Sequence, residues 1–206
     1  MDDIVARATA KWPNVPAVYG WLALDRRGRW SIKSAVRGGS AAAAVEFEPA
    51  TNPKLAEFIG RNYTHDEQGR WYFQNGPQRV YVTLAYTPLV YRIARVHPLS
   101  FETHSCAPCA DLRSVWMDEA GNLLLVTEHG PGLLLDRDLT RGLEALSYAD
   151  GHALEEDQLV ALIEEGGDAA GVYFNAGAAS LPLTLIKSEA APRRLGYVRE
   201  PQPAKP

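Results

Sequence analysis

The chain is poor in cysteine and methionine, two of each in 206 residues, and it has no excess of positive charge and no long apolar run. Two cysteines cannot build a disulfide scaffold, and a chain this long buries a core without one. Residues 1–15 carry Asp2 and Asp3 and no apolar stretch of the kind a secretory signal needs. Nowhere does the sequence approach the ~18 apolar residues of a spanning helix, so the expectation is a cytoplasmic protein with no membrane partner. A net charge of −4 and a pI near 5.7 leave no basic surface for nucleic acid. Local arginine clusters (Arg26, Arg27, Arg29; Arg193, Arg194) sit beside turn residues and read as solvated loops. Catalytic signatures are missing too: no Gly-x-Ser-x-Gly, no phosphate loop ending in Lys-Ser/Thr, no His-Glu-x-x-His. No motif calls for a cofactor.

What is present is an ordinary globular composition, 46% hydrophobic and 22% charged. A short helix is expected over Asp2–Trp12, ended by Pro13 and Pro16. Val18–Leu24 reads as a strand that turns at Asp25–Gly28 and returns through Trp30 and Ile32; residues 38–44 read as a loop or weak helix. Asn52-Pro53 is a helix start, because asparagine caps free N–H groups and proline at the first position has none to lose. Strands are expected at Arg70–Gln74, Gln78–Tyr86 and Leu89–Val96. In the second half, strands up to Met117, at Leu123–Thr127 and at Leu133–Leu135 precede an amphipathic helix over Ala153–Glu165. Val172–Asn175, Leu181–Lys187 and Leu195–Arg199 complete the set.

The organising feature is a repeat. Four times the chain writes Asp-x-x-Gly-x-apolar: Asp25/Gly28/Trp30, Asp66/Gly69/Trp71, Asp118/Gly121/Leu123 and Asp168/Gly171/Tyr173. Four of the 11 aspartates have glycine three residues on, where about one is expected by chance. Such a turn needs an aspartate that accepts backbone N–H groups ahead of it and a glycine that takes the left-handed conformation. Asp25 and Asp118 stand 93 residues apart, and Tyr72-Phe73, Gly76 and Thr83-Leu84 recur 101 residues later at Tyr173-Phe174, Gly177 and Thr184-Leu185. The expected fold is therefore α+β, two pseudo-repeated units, each a mainly antiparallel sheet of hairpins with one packed helix. Its divisions are an N-terminal helix or arm (1–16), a first repeat (17–96), a linker (97–111), a second repeat (112–199) and a frayed tail (200–206).

Phe58-Ile-x-x-Asn62-Tyr followed by His65-Asp-Glu-Gln-Gly-Arg-Trp-Tyr-Phe-Gln-Asn-Gly-Pro-Gln-Arg-Val-Tyr-Val, together with Trp12-Pro-Asn-Val-Pro and Tyr19-Gly-Trp21-Leu, resembles uncharacterised proteobacterial families carried as domains of unknown function. The resemblance is best over residues 12–140. It implies a bacterial protein of repeated α+β motifs with a suggested role in signalling, and it supplies no catalytic or binding residues.

Three places bear chemistry. The loop Asn75-Gly-Pro-Gln78-Arg79 presents two amides and a guanidinium, whereas its counterpart, 175–180, has lost most of that polarity. Asn75, Gln78 and Arg79, with Tyr81 and Arg92 as an exposed aromatic and basic row, form the candidate ligand site; ordinary turn chemistry is the plainer reading of the loop. His104, Cys106 and Cys109 could supply part of a zinc or thiol site, but a fourth ligand is missing and the context is not thioredoxin-like, so incidental cysteines in a linker are the plainer reading. The expectation is a non-enzymatic binding or regulatory module for an unknown small molecule or protein. The alternatives are an enzyme of unrecognised type with a site in the cleft between repeats, and a metal or thiol protein using Cys106 and Cys109.

Overall fold

The computed structural model describes residues 1–33, 47–165, 169 and 171–203; the stretch 38–44 and Asp168 lie outside them. Two compact units result, Met1–Pro88 with Gly196–Pro206 and Leu89–Leu195.

The first unit opens with helix α1 (Asp3–Lys11) and continues through strands β1 (Val18–Leu24), β2 (Trp30–Lys33) and β3 (Phe47–Pro49). Helix α2 (Pro53–Arg61) and strands β4 (Tyr63–His65), β5 (Trp71–Asn75) and β6 (Gln78–Leu84) follow. Asn52 caps α2 as its sequence requires, accepting from the N–H groups of Lys54 and Leu55 at 3.0 and 3.4 Å. The strands form one sheet, β3-β2-β1-β6-β5-β4, antiparallel except at the central β1–β6 pair. Its core sets Leu22, Leu24, Val82 and Leu84 beside packed aromatics: Trp30 edge-on to Tyr63 (4.9 Å) and Phe58 edge-on to Phe73 (5.5 Å).

The second unit begins with strands β7 (Leu89–Arg95) and β8 (Ser100–Thr103). Then come β9 (Leu112–Asp118), β10 (Leu123–Thr127), β11 (Gly130–Leu134), helix α3 (Leu139–Leu143), β12 (Leu146–Tyr148), helix α4 (Glu156–Glu165), β13 (Val172–Ala176), β14 (Ala179–Ile186) and helix α5 (Ala191–Leu195). The sheet order is β12-β13-β14-β9-β10-β11-β7-β8. Reversed and without β7 and β8, this is the order of the first sheet, with β9 and β14 as the central parallel pair in place of β1 and β6. The duplication is thus one of strand order as well as of turns. Leu123, Leu124 and Leu125 are all 0% exposed, so β10 is covered on both faces, the reason its apolar residues run without alternation.

The three fully described Asp-x-x-Gly turns share one bonding scheme. Asp25, Asp66 and Asp118 each accept from the N–H groups two and four residues ahead at 2.8–3.0 Å, and each backbone carbonyl receives the glycine N–H at 2.9–3.1 Å. The residue after the glycine then reaches back to the carboxylate: Arg29, Arg70 and Asn122.

Several boundaries differ from the sequence expectation. Leu89–Arg95 belongs to the second unit because β7 pairs in parallel with β11. The expected linker, 97–111, holds β8, which pairs with β7, and a return turn in which Cys109 N–H donates to Phe101 O (2.9 Å). Leu195–Arg199 is not a strand: α5 ends at Leu195, and an irregular segment rejoins the first unit. There Val198 N–H donates to Gly69 O (3.0 Å) and Leu84 N–H to Arg199 O (2.8 Å). Pro201, expected in a frayed tail, is buried. The helix expected to match α2 is α4, but by position the match is α3. Asn62 and Ala145 each donate N–H to the last turn of the preceding helix (Ile59 O, Gly142 O), and each accepts on its carbonyl from β5 or β13 (Gln74 N–H, Asn175 N–H). Helix α4 is an insertion between β12 and β13.

Candidate functional site

The hairpin β5–β6 carries four of the expected site residues. Asn75 and Gln78 face each other across the turn, and Gln78 Nε2 donates to Pro16 O at 3.1 Å. The Arg79 guanidinium lies 4.7 Å over the Tyr72 ring. Tyr81 is 3% exposed, stacked on Tyr19 (centroids 4.6 Å apart, 9° between planes), and its hydroxyl donates to Asp66 Oδ2 at 3.0 Å. Arg70 spans the same group, 4.8 Å over the Tyr81 ring and 2.8 Å from Asp66 Oδ2. Burial, then the bond to the Asp66 carboxylate, raises the Tyr81 phenol above its usual range. Partial burial pushes the Asp66 carboxyl up, but the Arg70 N–H and guanidinium and the Tyr81 hydroxyl outweigh it and leave it below the usual range. The row is therefore not an exposed aromatic platform. Val82, on the opposite face of β6, is also buried at 0%; both faces are covered because the chain bulges between Val18 and Leu22 and turns Tyr19 onto Tyr81.

Arg92 lies on β7, in the other unit, with Nε 2.8 Å from Glu102 Oε1 and a terminal nitrogen 2.9 Å from Cys106 Sγ. Cys106 sits at φ 65 in the return turn, its N–H bonded to Thr103 O (2.8 Å). Both cysteines are free thiols. Burial, with the Glu128 carboxylate nearby, pushes the Cys109 thiol up to about 12, opposite to what a nucleophilic thiolate requires. Glu128 itself is taken by the N–H groups of Ala110 (2.7 Å) and Asp111 (3.2 Å), and His104 Nδ1 by the Val90 N–H (3.3 Å). Among the described residues no three His, Cys, Asp or Glu side chains converge as a metal site, so His104, Cys106 and Cys109 do not assemble one.

An open site does exist in the second unit, where sequence reading named nothing. A groove of about 550 Å³ runs between the β7–β8 turn (Val96–Leu99) and the end of α3 with β12. Its polar lining includes His97, Arg141, Glu144, Ser147 and Asn175. A smaller hollow of about 360 Å³ shares Ser147 and Asn175 and is walled by Tyr148, Tyr173 and Ser180. Asn175 is fixed between them: Nδ2 donates to Ala145 O (3.2 Å) and Ser147 Oγ (2.9 Å), and Oδ1 accepts from Ser180 Oγ (2.9 Å). Arg141 Nη1 pairs with Glu144 at 3.1 Å.

The strand registers identify the same positions in the first unit. Phe73 and Phe174 face Tyr63 and Leu146, so Asn175 corresponds to Gln74, Gly177 to Gly76, Ala145 to Asn62 and Glu144 to Arg61. Ala176, and not Asn175, is thus the counterpart of Asn75. In the first unit these positions are occupied by α1. Asp2 N–H donates to Asn62 Oδ1 (2.8 Å), the Asp2 carboxylate pairs with Arg61 (3.2 Å), and Thr9 Oγ1 donates to Gly76 O (3.1 Å). Val5, between these anchors, is 2% exposed. The second unit leaves the equivalent surface as the groove.

No curated protein matches the chain. Among solved structures it is similar to a DUF1285 family protein from Silicibacter pomeroyi DSS-3, at 15% identity and a TM-score of 0.51 over 89% of this chain and 96% of that one. A DUF1285 family protein from Shewanella baltica OS155 aligns at 14% identity with a TM-score of 0.38, over 57% of this chain and 85% of its own. The first likeness is one of fold. The resemblance to uncharacterised families is borne out, because the model of the DUF2944 family, described as "Protein of unknown function (DUF2946)", matches residues 1–202, and the chain belongs to that family.

Proposed function

We propose that this protein is a non-catalytic binding module whose ligand enters the groove of the second unit. One observation carries the reading: the positions that hold α1 in the first unit are uncovered in the second, and they line a cavity of about 550 Å³. That volume lies within the roughly 300–1,000 Å³ of ordinary ligand pockets. Its polar groups are placed to orient a ligand: Asn175 is locked by three hydrogen bonds, while Arg141 and Glu144 keep side chains 62% and 56% exposed. The net charge of −4 disfavours nucleic acid as the ligand. No helix among the described residues is long and apolar enough to cross a membrane, and two free thiols suit a reducing, cytoplasmic setting. A regulatory or signalling role fits a module of this kind.

The test is an amide NMR titration of the isotopically labelled chain with amino acids, nucleosides, hexoses and short helical peptides. Saturable shifts at Ser147, Asn175 and Gly177, with the added compound recovered unchanged, are the expected result. Shifts confined to Asn75–Arg79 would move the site to the first unit, and turnover of an added compound would replace the reading with an enzymatic one.

A further inference from the structure

Resting on that reading of the groove, we infer what enters it: one turn of an amphipathic helix from a protein partner, bearing a basic residue where α1 bears Asp2. The internal repeat supplies the argument. The first unit shows how this surface is used when covered, with a helix lying on it, held by a polar contact at either end and an apolar side chain, Val5, between. The second unit keeps the backbone of that surface, including the left-handed glycine at its far end (Gly76 φ 56, Gly177 φ 60), and changes its charge. Arg61 becomes Glu144, and Asn62, which held both the N–H and the carboxylate of Asp2, becomes Ala145.

A helix beginning with aspartate would set two carboxylates beside the single Arg141 guanidinium, which disfavours α1 of a second copy as the occupant. A lysine or arginine at that place would pair with Glu144, whose present partner Arg141 is itself 62% exposed. For the apolar part, Val96 stands 42% exposed on the opposing wall, beside Pro98 and Leu99. Size sets the length. A helical turn about 10 Å across and about 5.4 Å long fills roughly 420 Å³, and about 550 Å³ holds one such turn.

Two synthetic peptides test this: residues 1–15 of this chain, and the same peptide with Asp2→Lys. Each is titrated into the labelled full chain and into its Glu144→Arg variant. The substituted peptide should shift the amides of Ala145, Ser147 and Gly177 at least fivefold more tightly than the native peptide, and Glu144→Arg should reverse that preference. Equal affinities that ignore Glu144→Arg would overturn the inference. So would concentration-dependent dimers that tighten in Glu144→Arg, which would make α1 of a second copy the occupant. If the amino acids, nucleosides or hexoses shift these amides and neither peptide does, the groove remains a binding site and the helix is excluded. If nothing shifts them, both readings fall.

Discussion

Strand β3 of the first unit is an edge, and Phe47, Glu48 and Pro49 are all exposed along it. Its counterpart in the second unit, β11, is interior: Pro131 to Leu134 are buried, and β7 runs beside it in parallel. The residue types follow. Glu48, facing Ile32, keeps an exposed charge that discourages further pairing at an open edge. The same place in β11 is Gly132, against which the Tyr91 ring packs so closely that a Cβ would overlap it. Two copies of one topology have thus parted at both sheet ends. The first unit is closed by its own helix α1. The second is widened by the β7–β8 hairpin and left open at the α1 position.

The comparison can be broken most forcefully at the shared turns. Gly69 and Gly121 have the same conformation (φ 71 and 74), but a Cβ on Gly69 would run into the Gly196 carbonyl, whereas on Gly121 it meets only Ile163 Cδ1 at 3.5 Å. Gly69→Ala should therefore cost about 3 kcal/mol or more, and Gly121→Ala about 1–2 kcal/mol from the left-handed backbone alone. Urea unfolding followed by tryptophan fluorescence, to which the first unit contributes four of five tryptophans, would read the difference. Equal costs would mean that the 196–199 segment does not clamp the Gly69 turn.

Next in size is the edge against the interior. Gly132→Ala must displace a buried tyrosine ring and should cost about 2 kcal/mol, whereas Glu48→Ala at the exposed edge should stay within about 0.5 kcal/mol. Differential scanning calorimetry of both variants would settle whether β11 owes its glycine to Tyr91.

A smaller contrast is in acid. The Asp66 carboxyl is depressed in the folded chain, so its contribution is present above the unfolded value near pH 4 and is lost as pH falls through the folded value. Asp66→Asn should lower stability by about 1 kcal/mol at neutral pH, with the gap to wild type closing in urea midpoints below about pH 4. A gap that stayed constant with pH would mean the turn needs only the hydrogen-bond geometry. Smallest of all, Arg79→Ala should cost about 0.5–1 kcal/mol, the loss of one partly exposed guanidinium–ring contact with Tyr72. The second unit does without it, having Ser180 at that place.

The turns were legible in the sequence because Asp-x-x-Gly is a local rule. Each fully described copy satisfies it with the same bonds, and β6 and β14 keep the 101-residue spacing where they pair with β1 and β9, themselves 93 residues apart. The helix correspondence was not legible. Helix α3 is five residues long and contains Gly142, so it shows no period, while the inserted α4 runs ten residues with leucines and an isoleucine at helical spacing. The boundary at Pro88 was hidden for a different reason: β7 is joined to β11, about forty residues away, by backbone bonds that leave no mark on composition. Tyr81 looked free because alternation along β6 assigns it to the face opposite Val82; only the bulge that brings Tyr19 over it closes that face. The groove has no signature of its own. It consists of positions that another part of the molecule covers in one copy and not in the other, and it can be found only by comparing the two.

The return of the chain at Gly196 carries a further consequence, for the order of synthesis. Residues 1–88 emerge from the ribosome more than a hundred residues before the segment that clamps the Gly69 turn and pairs with Leu84. At translation rates of roughly 5–20 residues per second, that is a wait of about 5–20 s. Through it the Gly69 turn and the end of β6 lack those hydrogen bonds, and in the second unit β9 likewise waits for β14. The half begun first is the half finished last.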